Sequence, residues 1–236
     1  ELQLLWGTPV HATTAGPKAP EINAALAGYM RRLAATEEPE IRSNRNGAWQ
    51  SRNKAFLDPL SHPKGSGVRK PVKRLRKAIL AALREYFEGL LRQSGAPLDF
   101  QVSIDASWAN VNPPCAINGP HVHPFAAVSG AYYVDCGSNA SAETPCAINL
   151  MDPRPSAPMA YLPSEVRDGM DFGIDWTLSL WPGTVLLFPS WLTHWVPPNS
   201  APNARLTVSF NAGVRVSASD EAQAASWEQD EDALEA

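Results

Sequence analysis

Apolar positions along this 236-residue chain change their spacing near residue 98. Before that point they recur every three to four residues. In EINAALAGYMRRLAAT (21–36), Ile22, Leu26, Met30 and Leu33 fall on one helical face. In VKRLRKAILAALREYFEGLLRQSG (72–95), Val72, Leu75, Ile79, Leu83, Tyr86 and Leu90 form a continuous stripe, and Gly95 stands where a left-handed C-terminal cap is expected. The spacing therefore predicts two amphipathic helices. A strand is expected before them, over LQLLWGTPV (2–10), and a loop rich in Asn, Arg and Ser between them. Beyond residue 98 the helical spacing stops. FQVSIDASWANV, FAAVSGAYYVDC, CAINLMD, DWTLSLWPG, TVLLFPSWLTHWV and RLTVSFNAGV are short β-branched or aromatic runs broken by Pro, Gly, Asn and Asp. Such runs predict about six to eight antiparallel strands, hence a sandwich or jelly roll. The two helices would then pack on the outer face of one sheet.

Composition changes this picture little. Apolar residues make up 44% and charged residues 19%, as in ordinary globular chains. The formal net charge of −4 hides an asymmetry. From residue 217 onward the chain carries seven acidic residues, from Asp220 to Glu235, and no Lys or Arg, so the rest of the chain is net positive. The expected division is one domain over 1–214, with 1–97 as strand and helical support and 98–214 as the jelly-roll core. Residues 215–236 would follow as an acidic, solvated tail. The basic residues at the start of the second helix (Lys70, Lys73, Arg74, Arg76, Lys77) read as its solvated face, so no nucleic-acid partner is expected. No run is long and apolar enough to predict a membrane span. Glu1 in place of an initiating Met leaves a trimmed leader open. Cys115, Cys136 and Cys146 are odd in number and contain no CxxC pair, which argues against a disulfide framework and for a reducing cytoplasm.

The candidate chemistry lies in the β region. In RLTVSFN, Leu206, Val208 and Phe210 point one way, and Arg205, Thr207, Ser209 and Asn211 point the other. One wet sheet face would explain that alternation by itself. However, three of the chain's five histidines lie in two β segments, His121 and His123 in HVH and His194 between Trp191 and Trp195. Residues i and i+2 of an extended segment point to the same side, so His121 and His123 can converge on one cation, with His194 as a third donor. His11 and His62 sit in polar, Pro-containing stretches and carry no such signal.

These stretches resemble the iron(II)/2-oxoglutarate-dependent oxygenases, and more narrowly a largely microbial branch of that superfamily. The resembling segments are GTPV (7–10), WQS (49–51), SWANV (107–111), HVHPFAAVSGAYYV (121–134), MDPR (151–154) and FPSWLTHWVPPN…RLTVSFN (188–211). The resemblance implies a mainly β fold with N-terminal helices, a double-stranded β-helix (a cupin-like jelly roll) with a metal in its open mouth. It implies an Fe(II)- and 2-oxoglutarate-dependent dioxygenase that hydroxylates a substrate, consuming O2 and converting 2-oxoglutarate to succinate and CO2. His121 matches the first ligand and His194 the distal one. Arg205 matches the basic residue that holds the far carboxylate of 2-oxoglutarate, and Thr207 sits where many members place a hydroxyl donor to that carboxylate. Tyr133 resembles a tyrosine that bonds the same group, with Tyr132 as the alternative if a bulge intervenes. Phe188, Trp191 and Trp195 would form a dry surround.

The departure from the family pattern is His123, where most members carry Asp or Glu. Iron accepts nitrogen ligands, but three imidazoles also suit Zn(II), Cu(II) or Ni(II) and leave the site one unit more positive. Asp135 or Asp152 would be the fallback carboxylate. Asp152 and Arg154 in MDPR read more simply as a structural salt bridge. Two alternatives remain at this stage: a cupin-like three-histidine metal protein without 2-oxoglutarate, for which Arg205 would be dispensable, and a non-enzymatic binding sandwich. Neither the substrate, a small molecule or a peptide, nor the oligomeric state follows from the sequence. Specificity is expected in the loops 40–64, 135–147 and 153–175.

Overall fold

The computed structural model describes residues 7–95, 99–138, 145–154, 163 and 175–216. Among these residues eleven strands form two antiparallel sheets around one barrel-like interior. The larger sheet has the order β1 (His11–Thr14), β9 (Thr184–Pro189), β6 (Val128–Asp135), β11 (Arg205–Val216), β4 (Phe100–Asn112) and β3 (Trp49–Gln50). The smaller has β2 (Asn44–Arg45), β5 (Ile117–His121), β10 (His194–Val196), β7 (Cys146–Met151) and β8 (Asp175–Leu180). The architecture is the expected jelly roll.

Helices α1 (Ala19–Thr36) and α2 (Arg69–Ser94) cover one face of the larger sheet. Pro20 and Glu21 open α1 in its first turn, where a missing N–H costs nothing and a negative charge suits the helix dipole. Arg74 of α2 reaches Glu21 at 2.9 Å and ties the two helices together. Gly95 ends α2 at φ 71°, a left-handed cap that its missing Cβ makes cheap. Leu26, Met30, Val72, Leu75, Ile79 and Leu83 are fully buried in the layer between helices and sheet, against Val185, Leu206, Val208 and Phe210. At Gly130 on β6 a Cβ would lie 2.5 Å from both the Leu186 carbonyl oxygen and the Phe210 ring, so only glycine lets that ring lie flat on the strand. A second apolar cluster, including Ile148, Leu150, Leu186 and Leu192, plugs the interior between the sheets.

Some expectations are corrected. The first described strand is His11–Thr14, not 2–10: residues 7–10 contain Pro9 and form no strand, and residues 2–6 lie outside the described set. The polar HATT segment is a strand because it pairs with the edge of β9. The Asn- and Arg-rich loop contributes the two-residue strands β2 and β3 and a 3-10 turn at Pro59–Ser61. Strand β11 runs through Val216, and the acidic segment 217–236 lies outside the described residues. Much of the loops 135–147 and 153–175 also lies outside them.

The argument against a disulfide fails. Cys136 and Cys146 are bonded, with their Cα atoms 5.1 Å apart. The fold brings the end of β6 beside the start of β7, a proximity that motif spacing does not encode. The bond removes the case for a reducing compartment drawn from cysteine count. Cys115 is free and exposed. Among the described residues no helix is long and apolar enough to cross a membrane.

Candidate metal centre

The short strand β10 lies between β5 and β7, and its register places His194 opposite His121 on one side and Leu150 on the other. His121 ends β5. His123 lies just beyond it, where its backbone N–H donates to the Ser190 carbonyl at 2.9 Å. Ser190 in turn donates through its backbone N–H to Ala127 and through its hydroxyl to Ala126, so the turn carrying His123 is fastened to the end of β9. Three imidazoles converge, with ring centroids 4.3 Å (His121–His194), 5.0 Å (His121–His123) and 5.1 Å (His123–His194) apart.

Hydrogen bonds orient two of the rings. Nδ1 of His121 lies 2.7 Å from the Gly119 carbonyl, and Nδ1 of His194 lies 2.9 Å from the Leu192 carbonyl. A carbonyl only accepts, so both Nδ1 atoms carry the proton and both Nε2 atoms keep a lone pair. His123 hydrogen-bonds the Asn211 side chain, whose Oδ1 also accepts from Ser129 Oγ at 3.0 Å. Burial is the main reason all three imidazoles resist protonation. His194 is pushed down to about 3 and His123 to about 4, in each case first by desolvation and then by the neighbouring His121. His121 is lowered by burial, partly offset by its bond to Gly119. One ligand atom from each ring lies within 4.8 Å of the others, so this group could hold a metal ion, and it is the only such cluster among the described residues. Three neutral nitrogen donors on one side of a polar cavity are a donor set that Fe(II) accepts.

The cavity above the cluster measures about 610 Å³. Arg205, Thr207, Ser209 and Asn211 all line it, while Leu206, Val208 and Phe210 are buried in the helix-side core. Arg205 is 4% exposed and its Nη2 has no hydrogen-bond partner. Burial lowers its pKa to about 10, which leaves it charged at neutral pH. Tyr133 faces Arg205 across the same cavity, and burial raises its phenol well above the usual range, so it stays protonated. Thr207 pairs in register with Tyr133, and its Oγ1 accepts from Asn110 Nδ2 at 3.3 Å. Tyr132 is the outward neighbour: its hydroxyl donates to Asn23 Oδ1 of α1 at 2.5 Å.

Other expected site residues fall elsewhere. Asp135 pairs with Arg31 at 2.5 Å, and Asp152 with Arg154 at 2.6 Å, so neither joins the histidines. Trp191 is more than half exposed, and Trp195 donates to Asp175 at 3.2 Å; neither lines the cavity. Of the predicted aromatic surround only Phe188 is in place, its ring 4.6 Å from that of His194. The partner that the sequence does not single out is Trp108 of β4, stacked on His123 at 5.5 Å with 17° between planes. Its two-residue spacing from Asn110 was the available signal. His62, unremarkable in sequence, is buried between Tyr29 Oη (3.2 Å) and the Phe56 carbonyl (2.7 Å), away from the site.

Residues 106–211 match the family described as "Putative 2OG-Fe(II) oxygenase". No curated protein matches the chain in sequence. Among solved structures, a prolyl-4-hydroxylase from Pseudomonas putida is similar, at 17% identity and a TM-score of 0.50, covering 89% of this chain and 94% of that one. AviO1 from Streptomyces viridochromogenes Tue57 is similar at 13% identity and a TM-score of 0.53, covering 87% and 90%. The epimerase SnoN of nogalamycin biosynthesis, in a complex with Fe3+, alpha ketoglutarate and nogalamycin RO, is similar at 17% identity and a TM-score of 0.54, covering 87% and 79%. At these identities the likeness concerns the fold.

Proposed function

We propose that the chain is a 2OG-Fe(II) oxygenase, a reading supported by the family match of residues 106–211, and that its own residues divide the work as follows. His121, His123 and His194 hold Fe(II) through imidazole nitrogens; Arg205, Tyr133 and Thr207 hold the far carboxylate of 2-oxoglutarate. The substrate is hydroxylated, so that one substrate C–H, O2 and 2-oxoglutarate become C–OH, succinate and CO2. The domain includes the helices as its support and runs to the end of β11 at Val216.

The observation that carries this assignment is Arg205. A guanidinium 4% exposed, with one nitrogen unpaired, is unfavourable unless an anion completes it. It faces the cavity that holds the histidines, and the planar fork suits a carboxylate. Tyr133 adds a phenol proton and Thr207 a hydroxyl, so three hydrogen-bond donors on one cavity wall are available to a carboxylate. The bound metal supplies the activation of O2, with the 2-oxo acid as the two-electron reductant. Everything else is positioning. The Gly119 and Leu192 carbonyls fix the tautomers of His121 and His194, and Asn211 steadies His123. Phe188 and Trp108 keep water from the reacting side of the cluster.

The test is anaerobic titration of 2-oxoglutarate into the Fe(II)-loaded protein, followed by the weak visible charge-transfer band of a chelated keto acid. The band is expected in the parent. Arg205→Ala is expected to need on the order of 100-fold more 2-oxoglutarate, as when a buried charge pair loses one member. A parent that binds iron without developing the band would overturn the assignment of the cosubstrate site.

A further inference from the structure

The cavity wall is unbalanced in charge. Among the described residues that line it are three permanent cations, Arg42, Lys54 and Arg205, and no Asp or Glu. Arg205 is buried, whereas Arg42 and Lys54, from the segment between α1 and α2, are open to solvent and so mark the mouth; both pair with the single carboxylate of Glu40, which lies outside the lining. One carboxylate for two cations leaves the mouth positive.

The assignment under Proposed function, on which this inference rests, makes the imbalance larger. Three neutral imidazoles cancel none of the metal's charge, whereas a carboxylate ligand would cancel one unit. The dianionic cosubstrate offsets two charges and is engaged at Arg205. With the metal in place a net positive charge remains, and Glu40 is the one carboxylate that the described residues bring to Arg42 and Lys54.

We propose that the primary substrate is a small anion, a carboxylate or a phosphate monoester, whose acid group displaces Glu40 and is held by Arg42 and Lys54 at the mouth. Arg42 offers a bidentate fork and Lys54 a point charge, a pairing that accepts either acid. Trp108 gives the arrangement its reach. The Lys54 ammonium lies 5.4 Å from the centroid of the Trp108 ring, and the same ring stacks on His123. A single indole therefore links the anion anchor to the histidine cluster, and the C–H bond to be oxidised lies only a few bonds from the acid group. Val122 and Phe125, both exposed and both lining the cavity, offer the apolar body of the substrate a surface.

The test is calorimetric, under argon, on Fe(II)-loaded protein saturated with 2-oxoglutarate. Phenylacetate, phenyl phosphate and the neutral phenylacetamide are the probes, and the tighter of the two anions identifies the acid. At least one anion is expected to bind about tenfold or more tightly than the amide, a difference of about 1.4 kcal/mol. The double variant Arg42→Gln/Lys54→Gln is expected to lose that preference while its affinity for 2-oxoglutarate stays unchanged. Glu40→Gln, which removes the competitor, is expected to tighten the anions severalfold, an effect in the opposite direction that misfolding cannot mimic. Equal binding of anion and amide, an undiminished preference in the double variant, or no anion binding at all would overturn the proposal. The same series run on Arg205→Ala without 2-oxoglutarate reads the mouth alone, and failure of the cosubstrate assignment is seen separately, as a missing visible band in the parent.

Discussion

The two faces of β11 differ more than any two separate regions of the molecule. Leu206, Val208 and Phe210 are wholly buried under the helices. Arg205, Thr207, Ser209 and Asn211, each one residue away, face the cavity. Strand β6 repeats the contrast at adjacent tyrosines, Tyr132 bonded to α1 and Tyr133 facing Arg205. Because side chains alternate along a strand, one segment can meet two selective demands without compromise between them. Stability resides on one face and chemistry on the other.

The sharpest way to break that separation is Phe210→Ala. Removing a buried phenyl ring is expected to cost about 3–5 kcal/mol of unfolding free energy, read from urea titration. Metal affinity of the fraction still folded should not change. A large loss of affinity would mean that the two faces are coupled. On the inner face, His194→Ala is expected to weaken Fe(II) binding by more than about 100-fold, since even residues behind a ligand matter up to that level. The metal-free variant is expected to lose about 1–3 kcal/mol, from the Leu192 carbonyl left unpaired, less than Phe210→Ala.

Acid provides a finer probe of the inner face. The folded pKa values of His123 and His194 lie below the ordinary value of 6.5, so the unfolded chain binds more protons between the two. Their stabilising contribution is complete above about pH 6.5 and is lost as pH falls toward about 4 and below. Thermal melts of metal-free protein should therefore weaken with a slope on the order of 1 kcal/mol per pH unit for each titrating imidazole. Fe(II) should move that loss to lower pH, because metal and proton compete for the same nitrogens.

The smallest expected effects come from the tyrosine pair. Tyr133→Phe should raise the Kd for 2-oxoglutarate roughly fivefold, the worth of one hydrogen bond of about 1 kcal/mol, and leave stability nearly unchanged. Tyr132→Phe should do the reverse, costing about 1 kcal/mol of stability through the lost bond to Asn23 and sparing the affinity.

Strand parity is the part of this molecule that the amino-acid order displays best. RLTVSFN announces two faces, and the spacing of HVH brings two imidazoles to one side even though His123 lies past the end of β5. Trp195, expected in the dry surround, stands next to His194 on β10 and points away from the cavity. What could not be read has a different physical origin. Strand β5, INGPH, contains Gly and Pro and no apolar alternation; it is a strand because β10 and β2 pair with it. The Cys136–Cys146 bond and the positions of Arg42 and Lys54 at the mouth depend on which loops the finished barrel brings together. Those contacts depend on how the strands and loops are placed in three dimensions, and no local pattern encodes them.

Strand β10 is three residues long, yet it joins β5 to β7 and so holds the smaller sheet together. With a metal shared between His194 and His121, the ion becomes a rivet across that seam, and binding energy is added directly to the free energy of unfolding. A cell short of iron would then lose more than turnover: the empty protein would open more often at the seam and be degraded sooner. Its abundance would follow the iron supply, with no regulatory protein needed to read it.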